Sequence, residues 1–504
     1  MDIARVIESA LQPQNDARRP ISTAVRLLTY RCTLACSRAF AKATVEWLAS
    51  HGIHAEHRGA FVRAVAPRAT LAAAFPGSFV SADNGRDPRC PVPPLEAVAF
   101  AASPTLCGPE PAVGRADALG TSSMTSPPPS DMGEVTPDVL RSLYGLPPPK
   151  GNRSGSMACA EWEGQAFSAK ALSKFEERYS LPPQALRNIT GEGLLPGTEA
   201  NLDVQYIIAT APGVPCDFWQ EPSRKGFDLI EWITSAQARQ EQPLVWSVSY
   251  GESMQDRDVK YVRQLDAEFA KLALAGTTIV FASGDAGAYS RQDTPKGKMQ
   301  PGFPAGCPSV LTVGATTYWA NGTEDSAIDW SGGGFTFSEY FTREADAPWQ
   351  NDAVQAYLAE VDASGLPPNN TWDPAGVGFP DVAAVGTDYM VTSALGFEKK
   401  VSGTSASTPV WAGVIALLND ERLARGMPPI GAAAPWLYAH TDALKDIVLG
   451  RNNNDGMTAH TGGGYVAAAG WDPTTGFGAP LYGKLLAAAL KDGKKALANA
   501  NAAT

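Results

Sequence analysis

Apolar positions along this chain fall into runs of two kinds. Leu244 to Ser249 (LVWSVS) and Thr277 to Ala282 (TTIVFA) are short and unbroken, which predicts strands covered on both faces, while Asp258 to Ala275 between them repeats at helical spacing. Strand, helix, strand in that order predicts a parallel α/β sheet. A further helix is expected from Thr408, with Pro409 in its first turn and Val410, Val414, Leu417 and Leu418 on one stripe facing a core. Nearer the front, Phe40 to Ser50 reads as an amphipathic helix and Ala60 to Val65 alternates like a half-buried strand, together a small α+β unit.

Breaker residues divide these regions. From Ser81 to Ser130 the chain turns to Pro, Gly and Ser and runs into GTSSMTSPPPSDMG, a stretch with too little apolar surface for a core and therefore an exposed linker open to proteolysis. The closing KDGKKALANANAAT lacks large apolar side chains and reads as a flexible tail. The expected division is a front domain at 1–103, a linker at 104–133, a main domain at 134–490 and a tail at 491–504.

Charge sharpens that division. The 504 residues carry 41 Lys+Arg against 52 Asp+Glu, a net charge of -11 that argues against nucleic acid as a partner. The imbalance is uneven: residues 1–130 hold 13 basic and 10 acidic side chains, so the acidic excess lies in the rest. A basic front unit and an acidic body have complementary surfaces. Histidine occurs only at 51, 54, 57, 440 and 460, which leaves the central part of the chain without an imidazole base. Acid–base chemistry there must use carboxylates. Seven cysteines without CxxC spacing give no zinc signature; Cys90 and Cys107 are one candidate pair in the front unit. Four sequons, at Asn152, Asn188, Asn321 and Asn369, favour a secretory route, although no signal-peptide core is visible at the N-terminus and no run approaches the ~18 apolar residues of a membrane span.

Four groups could carry chemistry, each with a plainer alternative. Gly403-Thr-Ser405-Ala-Ser407 precedes the Pro-started helix, where N–H groups and the helix dipole would favour an ionising Ser405 oxygen, or where the serine is merely a cap. In Gly197-Thr-Glu199-Ala-Asn-Leu-Asp203, Thr198 can cap a helix that stacks Glu199 and Asp203 four residues apart. Such a pair titrates as a unit and can serve a serine as base in acid, or it can be a solvated acidic face. Ser283-Gly-Asp285 follows a buried strand at the carboxyl edge of the sheet; a neutral Asp285 could donate to an oxyanion, or the segment is a turn. Asp446-Ile447 and Ala468-Ala-Gly470-Trp-Asp472 offer hard oxygen ligands for calcium, with Asn452 to Gly456 as a competing calcium loop.

Taken together, the Glu-x-x-x-Asp helix, Ser-Gly-Asp, Ser402-Gly-Thr-Ser-Ala-Ser-Thr-Pro409 and Asp-Ile followed by Gly-Trp-Asp-Pro resemble the sedolisins, the serine-carboxyl peptidases, in order and approximate spacing. Ser247-Val-Ser-Tyr-Gly251, Ser331-Gly-Gly-Gly-Phe335 and Phe379-Pro-Asp-Val-Ala383 point to the tripeptidyl-peptidase branch of that family. The resemblance implies a subtilisin-like parallel sheet flanked by helices, preceded by an α+β prosegment that inhibits its own enzyme. It implies Ser405 as nucleophile, Glu199 as base, Asp203 as the acid orienting it and Asp285 as oxyanion donor. It also implies one calcium ion on the side chains of Asp446 and Asp472 and the main-chain carbonyls of Ile447, Ala468 and Gly470. Ala468 stands where the family usually has Gly, which a carbonyl ligand tolerates unless the backbone needs positive φ. The implied activity is acid hydrolysis of peptides or unfolded proteins, releasing tripeptides from free N-termini, after self-cleavage between about Gly120 and Gly133, in a secreted or lysosomal/vacuolar setting. An endopeptidase and an inactive binding protein are the alternatives.

Overall fold

The computed structural model describes three strands of the front unit, at 29–35, 54–58 and 61–67, and residues 132–503 apart from 192–194, 222–226, 228, 290–298 and 455–462. The chain divides into two units, residues 1–114 with 229–240, and residues 115–228 with 241–504. In the first, β1 (Thr29–Ala35), β2 (His54–Arg58) and β3 (Phe61–Pro67) form an antiparallel sheet in the order β1-β3-β2, and residues Leu229–Gln237 are helical. The alternating run from Ala60 is thus a strand. The expected helix at 40–50, Cys90, Cys107 and nearly all of the linker lie outside the described residues.

The second unit is built on an eight-stranded sheet. Its strands are β4 (Met157–Glu161), β5 (Asn188–Thr190), β6 (Cys216–Gln220), β7 (Val245–Val248), β8 (Thr278–Ala282), β9 (Leu311–Tyr318), β10 (Glu324–Ala327) and β11 (Val382–Val385). Neighbours run β10-β9-β8-β7-β4-β6-β5, and β11 also pairs with β9. All pairings are parallel except β9 with β10. Every residue of β4, β6, β7, β8 and β11 is buried, as a parallel sheet with covered faces requires. The runs LVWSVS and TTIVFA become β7 and β8, and the segment between them becomes a helix, Val259–Leu274, capped by Asp258 Oδ1 accepting from Lys260 N at 2.9 Å.

Two helices on this sheet decide where the chemistry sits. Thr198–Thr210, here α1, and Thr404–Leu423, here α2, lie against one another, and α2 also packs on β7, β8 and β9. Both are buried on nearly all sides, so neither shows the one-sided stripe of a surface helix. The expected start of α2 at Thr408 is corrected: the helix begins four residues earlier, at Thr404, and Pro409 lies inside it. Proline there removes the amide that would bond the Ser405 carbonyl. The Ser249 hydroxyl, 3.4 Å from that oxygen, donates in its place, and Thr408 Oγ1 donates to Thr404 O at 2.8 Å.

The C-terminal expectation is also corrected. Residues 491–503 continue one helix, α3 (Tyr482–Ala503), because Ala, Lys and Leu are strong helix formers. Its middle is held: Asp492 Oδ2 accepts from Trp436 Nε1 at 3.1 Å and lies 2.7 Å from His440 Nε2. At the other end, the second unit's pairings begin at Met132, which bridges Trp319, two residues before the expected boundary.

Candidate active site

Ser405 is the second residue of α2, at the point where β7 and β8 end. Its Oγ lies 3.5 Å from Ser249 O, one residue past β7, and the residue is buried. Gly403 precedes the helix with extended backbone, and a Cβ on it would stand 3.3 Å from Asp285 Oδ2. A side chain at 403 would therefore crowd Asp285. That carboxylate is fixed by its other oxygen: Asp285 Oδ1 accepts from Thr404 N at 2.7 Å and Thr404 Oγ1 at 2.8 Å. Thr404 Oγ1 in turn accepts from Gly284 N at 3.1 Å, and Gly332 N, in the Ser331-Gly-Gly-Gly-Phe335 segment, donates to Gly284 O at 2.7 Å. The turn after β8 and the N-terminus of α2 form one hydrogen-bonded unit that places Asp285 beside the Ser405 backbone.

Glu199 lies in the first turn of α1 and Asp203 one turn further along. The cap is Gly197 rather than Thr198, because a Cβ at 197 would stand 1.8 Å from Gln165 Oε1 and only glycine admits that approach. Glu199 and Asp203 are 2% and 0% exposed, which excludes a solvated acidic face. A third carboxylate joins them. Glu161, the last residue of β4, is fully buried, and its carboxyl is pushed well above the usual range, first by burial and then by the charges of Asp203 and Glu199. Burial raises Asp203 to about 8, against the neighbouring Ser249 hydroxyl and Glu161 carboxyl, which hold it down. Two adjacent carboxyls in a dry site titrate as a pair.

Ser249 connects the two halves of the site. Its hydroxyl donates to the Ser405 carbonyl and stands beside the Asp203 carboxyl, and its own carbonyl faces Ser405 Oγ. Glu161 and Ser249 were not singled out for chemistry from the sequence. Each ends an all-buried run, MACAE or LVWSVS, and the available signal was a polar side chain closing an otherwise apolar strand. The buried thiols of Cys159 and Cys216 lie behind this cluster; burial and then Cys216 push the Cys159 thiol up, away from nucleophilic reactivity.

The expected calcium residues occur together on two loops. Gly470 N donates to Asp446 Oδ2 at 2.7 Å, Ala468 N to Asp472 Oδ2 at 3.2 Å, and Thr475 Oγ1 to Ile447 O at 3.4 Å. Asp472 Oδ1 accepts from Thr474 N and Thr475 N at 2.8 and 2.9 Å, yet burial still pushes Asp472 to about 7. A fully buried carboxyl short of counter-charge, in an all-oxygen set, fits a hard dication. Ala468 does not have positive φ, so its side chain is tolerated. Among the described residues no group of three or more His, Cys, Asp or Glu side chains is placed to hold a metal ion, so any metal here depends on main-chain carbonyls. In the competing loop Asn452 Oδ1 accepts from Tyr465 N and Asn454 Nδ2 donates to Ala286 O, while Asp455 and Gly456 lie outside the described residues.

Comparison with known proteins places this geometry. Residues 214–429 match the subtilase family. Tripeptidyl-peptidase 1 of Mus musculus is 35% identical over 366 residues, which cover 70% of this chain and 64% of that protein; the Homo sapiens protein is 33% identical over 365 residues with the same coverage. The Dictyostelium discoideum protein is 33% identical over 375 residues and 58% covered. The chain therefore spans somewhat less than two thirds of the length of these relatives. Among solved structures, Pseudomonas sedolisin, a serine-carboxyl proteinase complexed with two molecules of pseudo-iodotyrostatin, superposes with a TM-score of 0.56 at 19% identity, covering 72% of this chain and 99% of that one.

Proposed function

We propose that the chain is a serine-carboxyl peptidase of the sedolisin type with the subtilase fold, and that it hydrolyses peptide bonds in acid through an acyl-enzyme on Ser405. The observation that carries the reading is the junction at Ser249, which joins Ser405 to Asp203 while Thr404 fixes Asp285 on the other side. Glu199 takes the Ser405 proton as Oγ attacks the carbonyl carbon, and Asp203, sharing a proton with Glu161, orients Glu199 and spreads its charge. Asp285 Oδ1 accepts from Thr404, so a neutral Asp285 would carry its proton on Oδ2 and donate it to the developing oxyanion. The carbon–nitrogen bond then breaks, Glu199 returns its proton to the leaving nitrogen, and water repeats the sequence to release the acid. The resemblance to the serine-carboxyl peptidases supports an acidic setting, secreted or lysosomal/vacuolar.

The relatives' name, tripeptidyl-peptidase, supports release of tripeptides from free N-termini. Asp446 and Asp472, with the carbonyls of Ile447, Ala468 and Gly470, would hold one calcium ion, whose charge would neutralise buried carboxylate and tie the two loops together. The basic front unit would act as an inhibitory prosegment, released by self-cleavage between about Gly120 and Gly133 below pH ~5, where carboxylates of the acidic body titrate. No helix among the described residues is long and apolar enough to cross a membrane.

Two peptides of the same sequence, one with a free and one with an acetylated N-terminus, test the reading at pH 4. Tripeptide release from the free peptide alone is expected, and Ser405→Ala should abolish it together with self-cleavage. Internal cleavage of the acetylated peptide would make the enzyme an endopeptidase; cleavage that persists in Ser405→Ala would remove the serine mechanism.

A further inference from the structure

The asparagine loop at 452–454 has no part in the proton path, yet its polar atoms converge on the turn that carries Asp285. Asn452 and Asn454 are both buried. Asn454 Nδ2 donates to Ala286 O at 3.1 Å, beside a longer bond from Tyr289 N at 3.3 Å, and Ala288 N donates to Asn452 O at 3.0 Å. The same loop holds the glycine segment on the turn's other flank. Asn454 N donates to Asp329 O at 3.0 Å, and Asn452 Nδ2 is shared between Gly333 O and Pro473 O, 3.3 Å from each. That segment closes on the turn through Gly287 N to Trp330 O at 2.8 Å and Gly332 N to Gly284 O at 2.7 Å.

Two backbone conformations adapt the chain to this contact. Gly287 has a φ of +64°, and a Cβ on it would stand 2.5 Å from Asn452 O and 3.0 Å from Asn454 Cβ, so only glycine lets the loop approach. Asn454 has a φ of +50°, the left-handed region that asparagine tolerates better than most residues.

We propose that Asn454, backed by Asn452, is a positioning residue for the oxyanion donor: it fixes the outer side of the 283–288 turn while Thr404 fixes the inner side. The inference rests on the peptidase reading. Thr404 engages one carboxyl oxygen of Asp285, but where the turn carries the other depends on the backbone at 284–288. A donor stabilises an oxyanion only if it stands where the charge develops, so a turn loosened at Ala286 weakens the transition state more than the bound substrate.

The experiment uses the mature enzyme, its active sites titrated, and Asn454→Gly, which accepts the left-handed backbone and removes the amide donor. Should that variant fold poorly, Asn454→Ala removes the same donor with less backbone freedom. Per active site, kcat on a tripeptide coumarin amide should fall about tenfold with KM within about twofold. A tripeptide aldehyde gives a second readout: its carbon bonds Ser405 Oγ, the Oγ proton passes to Glu199, and the aldehyde oxygen becomes an oxyanion facing Asp285. Its Ki should rise by a similar factor of about ten, and in an Asp285→Ala background Asn454→Gly should leave Ki within about twofold. Unchanged kcat and Ki per active site, with only the titre or the melting temperature lowered, would make the loop structural and overturn the inference. An equal rise of Ki in the Asp285→Ala background would overturn it too, because Asn454 would then not act through Asp285. A wild type that neither cleaves the amide nor binds the aldehyde would overturn the peptidase reading itself, and the inference with it.

Discussion

Glu161, Glu199 and Asp203 are buried against one another, whereas Asp446, at the surface, and Asp472, buried, are each held by backbone N–H groups. In the first group the neighbours are other acids, so each proton removed makes the next harder to remove, and the group stores protons. In the second, N–H donors stabilise the anion and fix loop geometry, but no base stands beside a nucleophile. Carboxylates of the same type are thus arranged for proton transfer in one place and for holding chain, or chain and cation, in the other.

The largest effects should fall on the first region. Glu199→Gln should lower kcat by about 10³-fold and Ser405→Ala by more, measured on a tripeptide coumarin amide at pH 4, with melting temperatures close to wild type. Asp472→Ala should do the reverse, lowering the melting temperature while the folded fraction keeps its kcat. A loop variant that kills turnover without unfolding would break the division of labour.

Next comes Glu161→Gln, which keeps the size of the side chain and removes the carboxyl that shares a proton with Asp203. Losing a neighbour that holds Asp203 down should move the acid limb of the kcat profile up, with kcat reduced roughly tenfold. An unmoved limb would mean that Glu161 only fills space. Calcium chelation should be milder, lowering the melting temperature by about 3–10 °C without changing kcat in the folded fraction. No shift would separate the loops from calcium.

The pH dependence of stability has a definite sign. A carboxyl whose folded pKa lies above its unfolded value of about 4 binds its proton more tightly in the fold. Its contribution is full below that value and is lost as pH rises through the folded values: about 6 for Asp266, 7 for Asp381 and 8 for Asp203, each raised by burial. The melting temperature should therefore fall steadily between pH 5 and 8.5, and Asp381→Asn should flatten part of the slope. A protein more stable at pH 8 than at pH 5 would contradict these burials. The smallest effect is expected at Asp492→Asn, about 1 kcal/mol of stability with unchanged turnover, measured by denaturant unfolding.

The strands at 245–248 and 278–282 and the positions of Ser405, Glu199, Asp203 and Asp285 were legible because their signals are local: unbroken apolar runs, a helix-entry pattern and acids one turn apart. What escaped was set by tertiary contact. Glu161 and Ser249 are ordinary ends of buried strands until the fold brings Asp203 against them. The start of α2 was hidden because Pro409 suits a first turn, and only Ser249, distant in sequence, replaces the hydrogen bond the proline removes. The C-terminal helix depends on Trp436 and His440, which the tail's own composition does not reveal.

The central claim is that a carboxylate, in place of an imidazole, activates Ser405. It is tested most directly by trapping the acyl-enzyme with a slowly hydrolysed tripeptide ester at pH 4 and mapping the adduct by mass spectrometry in the wild type and Glu199→Gln. The account predicts an acyl group on Ser405 that forms fastest in acid and at least about a hundredfold more slowly in Glu199→Gln. An adduct on another residue, or acylation of Glu199→Gln at the wild-type rate, would contradict it.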